Sequence, residues 1–286
     1  MSQAGQEAAT RPPVTAKEYK SDLKPVWCPG CGDFAVLNAI TKALAFLQSP
    51  REQVALITGI GCSSRIAAYT SLYGFHGVHG RALALAAGLK AARPDLTVLV
   101  AGGDGDGLSI GGNHFIHACR RNMDLTYIIM DNEVYGMTKG QASPTSAPDW
   151  LHGKLTPRGT GIRAFRPAAL ALTAGATFIA RGFTGDPNGL ARILVEAIQH
   201  PGFAFVQALS PCPTFRPEQM EWKHQVRGFE TATTSDPAMA AQRIQDDDGM
   251  STGIIYRSQY PVYRFGDHGA TADGDALHAI ESEFRI

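Results

Sequence analysis

Two cysteines with a proline and a glycine between them form the segment with the richest potential chemistry, WCPGCGD at residues 27–33. A CxxC pair can be a redox dithiol, half of a zinc site, or two ligands of an iron–sulfur cluster. A thioredoxin-type dithiol follows an apolar strand, whereas SDLKPVW, the stretch that ends at Trp27, contains a proline and charged residues. The other cysteines are Cys62, Cys119 and Cys212. Spacing alone leaves the three chemistries open.

A glycine-rich turn with two aspartates lies at residues 101–113, AGGDGDGLSIGGN. It is not in GxGxxG register, which disfavours a nicotinamide site. Asp104 ends one predicted strand, and Asn132 ends the next, 28 residues later. Parallel strands joined by a helix end at the same sheet edge, where α/β proteins bind ligands. A carboxylate and an amide oxygen suit a Mg²⁺ ion that bridges a diphosphate. The alternative is a helix cap at Asp104 and a turn at Asn132.

Apolar runs alternate with helical patterns from about residue 33 to 210, which predicts a parallel α/β sheet with helices between its strands. The predicted strands cover residues 54–60, 96–104, 125–132, 176–182 and 203–209. The predicted helices cover residues 34–48, 81–93, 109–121, 167–175 and 188–199. Residues 135–161 are rich in Gly, Ser, Thr and Pro, and a loop of that length is usually functional or disordered.

Composition limits the possible partners. The 286 residues include 26 Lys and Arg and 26 Asp and Glu, so the formal net charge is zero. This balance predicts no nucleic-acid partner and no membrane surface. The polar first 25 residues lack an apolar signal core, and no apolar run is long enough to cross a bilayer. We therefore expect a cytoplasmic protein whose cysteines serve metal binding, catalysis or packing rather than disulfides.

The motifs in their order resemble one known family. GDG followed by the later asparagine is the thiamine diphosphate motif, and it occurs here with WCPGCGD, GIGCSS (59–64), HGVHGRA (76–82) and YGMTKGQASPTS (135–146). Together they resemble the β subunit of 2-oxoacid:ferredoxin oxidoreductases, over about residues 24 to 225. The resemblance implies the thiamine diphosphate-binding fold of the diphosphate-binding type, a mostly parallel sheet with helices on both faces.

The resemblance also implies a set of cofactor contacts. Asp104, Asn132 and the carbonyl of Val134 would hold Mg²⁺. The remaining implied contacts to thiamine diphosphate are Cys62, Ser63, Ser64, His79, Gly103, Gly105, Asp106, Gly107, Leu108, Gly136 and Met137. An ordinary loop position is the alternative for His79.

The family's β subunit carries a [4Fe-4S] cluster, and its ligands map onto Cys28, Cys31, Cys62 and Cys212. Predicted strands end shortly before Cys62 and Cys212, so both are expected at the sheet edge that holds Asp104. A zinc site with the same four ligands and a dithiol remain the alternatives. Cys119 falls inside a predicted helix, where we expect simple core packing.

The implied reaction is the coenzyme A-dependent oxidative decarboxylation of a 2-oxoacid, with electrons passed through the cluster to ferredoxin. It is reversible, and its reversal would fix CO2. The carboxylate that faces the cofactor's aminopyrimidine ring belongs to an α subunit in this family, so an (αβ)₂ assembly is expected. MTKGQASPT resembles the 2-oxoglutarate type, with pyruvate or a broad 2-oxoacid range as alternatives. Lys139 and Arg65 are the candidate cations for a second substrate carboxylate. A zinc-bearing, non-catalytic assembly subunit is the alternative from another class.

The predicted organisation has three parts. Residues 1–22 form a polar N-terminal arm, and residues 23–219 form the cofactor-binding domain with its cysteines. Residues 220–286, polar and irregular in sequence, form an extended tail at a subunit interface.

Overall fold

The computed structural model describes residues 13–265 and Ser282. Its strands are β1 (Val54–Thr58), β2 (Tyr73–His76), β3 (Thr97–Gly103), β4 (Leu125–Asp131), β5 (Val134–Tyr135), β6 (Gln141–Ala142), β7 (Phe178–Phe183), β8 (Phe203–Leu209), β9 (Arg227–Gly228) and β10 (Ser251–Arg257). Its helices are α1 (Asp33–Leu47), α2 (Ala82–Ala92), α3 (Asp104–Leu108), α4 (Gly112–Arg121), α5 (Pro167–Thr173), α6 (Pro187–Ile198), α7 (Trp222–Gln225) and α8 (Pro237–Asp246).

Eight strands form the central sheet in the order β2-β1-β3-β4-β8-β7-β10-β9. Neighbouring strands are parallel except for β10, which runs antiparallel to β7. Strands β4, β7 and β8 are buried along their whole length, as expected for parallel strands covered on both faces. The predicted fold class is confirmed.

Two apolar layers cover the sheet. Helices α1 and α6 pack together on one face, with Ile40, Leu44 and Leu194 fully buried. Helices α2, α4, α5 and α8 cover the other face, where Phe115 and Phe205 pack at 5.0 Å between ring centroids. Cys119 is fully buried in this second layer, which agrees with a packing role.

The helix predicted over residues 109–121 is α4, which begins at Gly112, and a separate short helix, α3, occupies Asp104–Leu108 just before it. They are separated because α4 begins in close contact with α3: a Cβ on Gly111 would lie 2.5 Å from the carbonyl oxygen of Asp106. Strand β1 ends at Thr58, two residues earlier than predicted, and Gly61 turns the chain with a φ of +132°. Strand β2 gave no burial signal in the sequence because all four of its residues are exposed.

The terminal segments differ from the sequence prediction. Within the predicted arm, Tyr19 is fully buried and its hydroxyl donates to the carbonyl of Ser49 at 2.6 Å. Residues 1–12 lie outside the described part of the chain. Within the predicted tail, α8 packs on the second layer and β10 is part of the central sheet, so residues 237–257 belong to the folded domain. Apolar Ile255 and Tyr256 supply the burial that holds β10 there.

Among the described residues, no helix is long and apolar enough to cross a membrane.

Candidate functional site

The carboxyl ends of β1, β3 and β4 surround a cavity of about 390 Å³. Three turns supply its wall: the glycine–aspartate turn after β3, the turn after β4, and the turn that contains Cys62. The lining residues are Ile60, Gly61, Cys62, Ser63, His79, Gly103, Asp104, Gly105, Asp106, Asn132, Val134, Tyr135, Gly136, Met137, Thr138 and Gln141. The sheet therefore brings Asp104 and Asn132 together, as their positions at strand ends predicted.

Asp104 lies almost fully buried at the start of α3. Burial, and then the neighbouring carboxylate of Asp131, raise the pKa of Asp104 to about 8. A single hydroxyl, that of Thr145, is 2.7 Å from Asp104 Oδ2 and 2.8 Å from Asp131 Oδ1. Asp131 Oδ1 also accepts from Glu133 N–H at 3.3 Å, so the hydroxyl proton is left for Asp104, but two carboxylates this close repel each other when both are ionised. A cation beside Asp104 would relieve that repulsion.

Asp131 was not singled out in the sequence. Its second oxygen accepts from the Gln207 amide at 2.8 Å, and Gln207 accepts in turn from Arg181 Nε at 3.0 Å. Arg181 pairs with Asp247 of the segment after α8. This buried chain of polar groups links the cavity to the C-terminal segment. The only sequence signal for Asp131 is its position beside Asn132 at the end of a buried strand.

The turn after β4 orients the other expected metal ligands. Val134 N–H donates to Asn132 Oδ1 at 3.1 Å, an Asx turn that holds the amide oxygen on the side of the Val134 backbone. The three predicted Mg²⁺ ligands Asp104, Asn132 and Val134 all line the cavity. Their donor set, one carboxylate, one amide oxygen and one backbone carbonyl, is the hard oxygen chemistry that Mg²⁺ requires.

Asp106 connects three segments around the cavity. Its Oδ1 accepts from Ile60 N–H at 2.9 Å and from Gly80 N–H at 2.7 Å, and it lies 3.1 Å from His79 Nδ1. Its Oδ2 is buried without a hydrogen-bond partner. This carboxylate holds the His79 ring and joins the GIGCSS and HGVHGRA motifs to the glycine–aspartate turn.

Two glycines of the glycine–aspartate turn allow tyrosine side chains to approach its backbone closely. A Cβ on Gly105 would lie 2.3 Å from the Tyr135 ring, whose hydroxyl donates to the Gly105 carbonyl at 3.2 Å. A Cβ on Gly107 would lie 1.9 Å from the Tyr127 hydroxyl. Gly105 thus faces the cavity, whereas Gly107 faces the core.

Not every predicted contact faces the cavity. Ser64, Gly107 and Leu108 lie outside its lining: Leu108 packs in the second apolar layer, Gly107 lies against Tyr127, and Ser64 is fully buried. Lys139 and Arg65 are exposed and also lie outside the lining. Arg65 Nε donates to Tyr69 Oη at 3.1 Å.

The structure adds lining residues that were not expected from the sequence. They are Ile60, Gly61, Tyr135, Thr138 and Gln141. The signal for them was present, since each belongs to or adjoins a motif of the resemblance. The sequence did not show which side chains of each turn point into the cavity.

The segments carrying Cys28, Cys31, Cys62 and Cys212 converge beside the cavity. Trp27 Nε1 donates to the Cys62 carbonyl at 2.7 Å, and Gly32 N–H donates to the Pro211 carbonyl at 3.1 Å. A Cβ on Gly30, whose φ is +82°, would touch the Pro213 ring at 3.7 Å. The CxxC turn is thereby attached to the turns of both single cysteines.

Two of these thiols flank the cofactor cavity. A Cβ on Gly136 would lie 3.6 Å from Cys62 Sγ and 3.9 Å from Cys212 Sγ. Burial raises the pKa of the Cys62 thiol to about 11 and also raises the pKa values of Cys31 and Cys212. Ionised thiolates are therefore disfavoured there unless iron or another metal compensates them. Across residues 13–265, no three His, Cys, Asp or Glu side chains are spaced to hold a single metal ion.

The described residues fit thiamine diphosphate with Mg²⁺. The fit rests on the excess negative charge at Asp104 and Asp131, the glycine turn, and the cavity that both line. Four thiols on converging segments beside that cavity are also a donor set of the right chemistry for an iron–sulfur cluster.

Comparison with known proteins also indicates a thiamine diphosphate site. Residues 49–208 match the family described as the thiamine pyrophosphate enzyme C-terminal TPP-binding domain. The fold and site thus define a thiamine diphosphate enzyme domain.

Similarity to two named proteins identifies the family within this class of enzymes. The chain is 40% identical over 257 residues to the β subunit of 2-oxoacid:ferredoxin oxidoreductase 2 of Aeropyrum pernix, covering 85% of this chain and 83% of that one. It is 50% identical over 206 residues to the 2-oxoglutarate oxidoreductase subunit KorB of Mycobacterium tuberculosis, covering 72% of this chain and 55% of that one. The chain belongs to the β-subunit family of the 2-oxoacid:ferredoxin oxidoreductases.

A solved structure shows the same fold. It is a 2-oxoglutarate:ferredoxin oxidoreductase from Magnetococcus marinus with 2-oxoglutarate, coenzyme A and succinyl-CoA bound. The TM-score is 0.88 at 38% identity, covering 95% of this chain and 97% of that chain.

Proposed function

We propose that this chain is the β subunit of a 2-oxoglutarate:ferredoxin oxidoreductase. The overall reaction converts 2-oxoglutarate and coenzyme A to succinyl-CoA and CO2, releases the thiol proton, and passes two electrons singly to ferredoxin. The observation that carries the proposal is the closeness of the two sites: a Cβ on Gly136, two residues after Val134, would lie 3.6 Å from Cys62 Sγ and 3.9 Å from Cys212 Sγ. The KorB relatives and the structure solved with 2-oxoglutarate and coenzyme A support the choice of substrates.

Bound thiamine diphosphate would supply the electron sink for decarboxylation. In this chain, Asp104, Asn132 and the Val134 carbonyl would hold the Mg²⁺ that accompanies it. Asp106 accepts from the Nδ1–H of His79 and so fixes that ring at the cavity wall. Cys28, Cys31, Cys62 and Cys212 would hold the [4Fe-4S] cluster, which would accept electrons one at a time.

An α subunit completes the site. Apolar side chains at the cavity and beside its motifs are exposed in this chain, namely Ile60, Val78, Ile110 and Met137. Val78 adjoins His79, and the Ile110 side chain packs close to Gly80, so this apolar rim surrounds the HGVHGRA turn. We expect the α subunit to cover this rim in an (αβ)₂ assembly and to supply the carboxylate for the cofactor's pyrimidine ring. A cytoplasmic location and the interface role of residues 220–286 remain predictions.

The test is the iron, sulfide and zinc content of the complex, purified without oxygen. We expect about four irons and four sulfides for each copy of this chain. Cys212→Ala should lose them, whereas the matched control Cys119→Ala, which changes a buried cysteine away from the cavity, should retain them. Zinc without sulfide would identify the zinc-bearing assembly subunit, and loss of function only with Cys28 or Cys31 would identify the dithiol.

Substrate choice is tested at Lys139. Replacing it with alanine should raise KM for 2-oxoglutarate more than KM for pyruvate, because only 2-oxoglutarate has a second carboxylate. Lys223→Ala, a second lysine outside the cavity, serves as the control. Equal changes for both substrates would remove Lys139 from substrate recognition.

A further inference from the structure

Two turns meet beside the cavity, one carrying Cys212 and the other carrying Asn132 and Val134. Gln219, which is 1% exposed, spans them with both ends of its amide. Its Oε1 accepts from Cys212 N–H at 2.9 Å, and its Nε2 donates to the Asn132 carbonyl at 2.8 Å. A single side chain therefore connects the backbone of a proposed cluster ligand to the backbone of a proposed metal ligand.

Arg216 makes a second connection between the same turns. Its own N–H donates to the Cys212 carbonyl at 2.8 Å. Its guanidinium donates to the Glu133 carbonyl at 2.9 Å and to Glu133 Oε2 at 2.8 Å. The guanidinium also lies 4.4 Å from the ring centre of Trp150, which restricts its movement.

These bonds support a strained conformation. Glu133 has a φ of +54°, a region that residues with a Cβ rarely adopt. Its carbonyl accepts from Arg216 and, at 2.6 Å, from the Ser146 hydroxyl. The turn at Glu133 lets Val134 N–H reach the Asn132 side chain at 3.1 Å. Arg216 thereby stabilises the backbone shape that presents the expected metal ligands.

The sheet alone does not fix how far Cys212 lies from that turn. Asn132 and Cys212 follow neighbouring strands, β4 and β8, but each sits beyond its strand end in a turn. Gln219 and Arg216 are buried polar groups whose hydrogen bonds cross from one turn to the other. Rigid packing around such groups is what holds a reactive geometry to within a fraction of an ångström.

We propose that Gln219 and Arg216 are positioning residues that fix the separation between the thiamine diphosphate site and the cluster. This inference rests on the proposed function. In the proposed reaction the substrate carbon loses two electrons as it becomes the thioester carbonyl, ferredoxin is the oxidant, and the cluster held by the four cysteines would relay the electrons between them. No covalent bond at Gln219 or Arg216 forms or breaks. The two residues act by fixing the distance over which the electrons are transferred.

The experiment compares Gln219→Met with Gln242→Met in the assembled complex. Methionine keeps the length of glutamine and removes both hydrogen bonds, and the exposed Gln242 bonds only to Asp246 among the partners found for its side chain in residues 13–265. Four quantities are measured: iron content, exchange of labelled CO2 into 2-oxoglutarate, the single-turnover rate of cluster reduction, and hydrogen exchange over residues 210–219.

We expect Gln219→Met to keep its iron and to retain CO2 exchange within about threefold, while cluster reduction slows about tenfold or more. Exchange of the Cys212 amide should accelerate, because its acceptor is gone. Gln242→Met should match the wild type in all four measurements.

Proportional loss of CO2 exchange and cluster reduction would overturn the inference, and so would unchanged cluster reduction. If the Gln219→Met complex does not assemble, Arg216→Lys is tested instead. Lysine keeps the positive charge but cannot make the paired guanidinium hydrogen bonds to Glu133. The inference then requires that Arg216→Lys slow cluster reduction about tenfold while CO2 exchange stays within about threefold. Wild-type complex without iron would instead refute the proposed function itself.

Discussion

Two buried polar clusters lie at opposite ends of the parallel strands. At the amino ends, Asn122 Oδ1 accepts from Phe203 N–H at 2.9 Å and from the Thr177 hydroxyl at 2.8 Å, while its Nδ2 donates to the Tyr260 carbonyl at 2.9 Å. His200 Nε2 is 2.8 Å from the same hydroxyl. Burial lowers the pKa of His200 to about 4, so this cluster is neutral and its donors and acceptors match.

The cluster at the carboxyl ends is different in kind. Asp104 and Asp131 share one hydroxyl, that of Thr145, and each carboxylate raises the cost of ionising the other. Asp106 leaves one oxygen without a partner. Acceptors therefore exceed donors at one end of the sheet and match them at the other.

A buried polar cluster that supports the fold differs from one that binds a ligand in how well its hydrogen-bond donors and acceptors match. A matched cluster such as that of Asn122 stabilises the fold by itself, because every buried group is paired. An unmatched acidic cluster costs stability until a cation joins it, which is typical of a binding site. Four substitutions test whether the two ends differ in this way.

The largest effect is expected at the unmatched cluster. Asp104→Asn should weaken Mg²⁺-dependent binding of thiamine diphosphate by more than about 100-fold, beyond the usual effect of residues that only support a metal ligand. The same change should raise the stability of the cofactor-free complex near pH 7, since the unfolded chain ionises Asp104 there whereas the folded state must keep it protonated. Titration calorimetry and urea unfolding measure the two quantities. Reduced stability together with reduced binding would show that Asp104 is a structural residue.

A substitution in the matched cluster around Asn122 should lower stability and leave cofactor binding unchanged. Asn122→Leu leaves the Phe203 N–H and the Tyr260 carbonyl without their partner, which should cost about 2–4 kcal/mol of unfolding free energy. Cofactor affinity of the folded complex should not change, because Asn122 lies at the other end of the sheet. A loss of cofactor affinity larger than the unfolded fraction of the complex can explain would show that Asn122 contributes to the binding site.

Thr145 supplies a smaller effect at the unmatched end. Thr145→Val removes the donor to Asp104 and Asp131 while keeping the shape of the side chain, and should weaken Mg²⁺ affinity about 10-fold or more. Thr145→Ser keeps the hydroxyl and serves as the matched control. Equal affinities for the two variants in a Mg²⁺ titration would exclude Thr145 from orienting Asp104.

The smallest effect per step is that of pH on stability, about 1.4 kcal/mol for each pH unit and each proton at most, and the two clusters should change stability with opposite signs. Unfolded Asp104 loses its proton near pH 4 and folded Asp104 near pH 8, so between these values the folded state binds more protons and stability of the cofactor-free complex falls as pH rises. His200, whose pKa is lowered to about 4, makes the folded state bind fewer protons below about pH 6.5, so stability is lost as pH falls through that range.

Urea midpoints across pH measure both contributions. Asp104→Asn should flatten the decline between about pH 4 and pH 8, and His200→Gln should flatten the loss of stability as pH falls from about 6.5 to about 4. Curves parallel to the wild type in both variants would show that neither cluster differs from ordinary buried polarity.

The sequence by itself determined the parallel α/β class and the edge of the sheet where the site lies. Strands β3, β4 and β8 are long apolar runs, and their carboxyl ends must share an edge, so strand order along the chain is enough to place Asp104 and Asn132 side by side. Resemblance added the identity of the cofactor. The local sequence pattern did not predict β2, because all of its residues are exposed. It did not predict β10 either, because polar segments flank this strand of the central sheet.

Only the tertiary structure decided which side chains act together across turns. The sharing of Thr145 by Asp104 and Asp131, the paired contacts of Gln219, and the contact of Gly136 with two thiols each join residues far apart in the chain. Periodicity fixes the face on which a residue of a helix or strand lies, but the residues of a turn have no period. Their directions follow from backbone angles, such as the positive φ of Glu133, that are set by contacts with other segments.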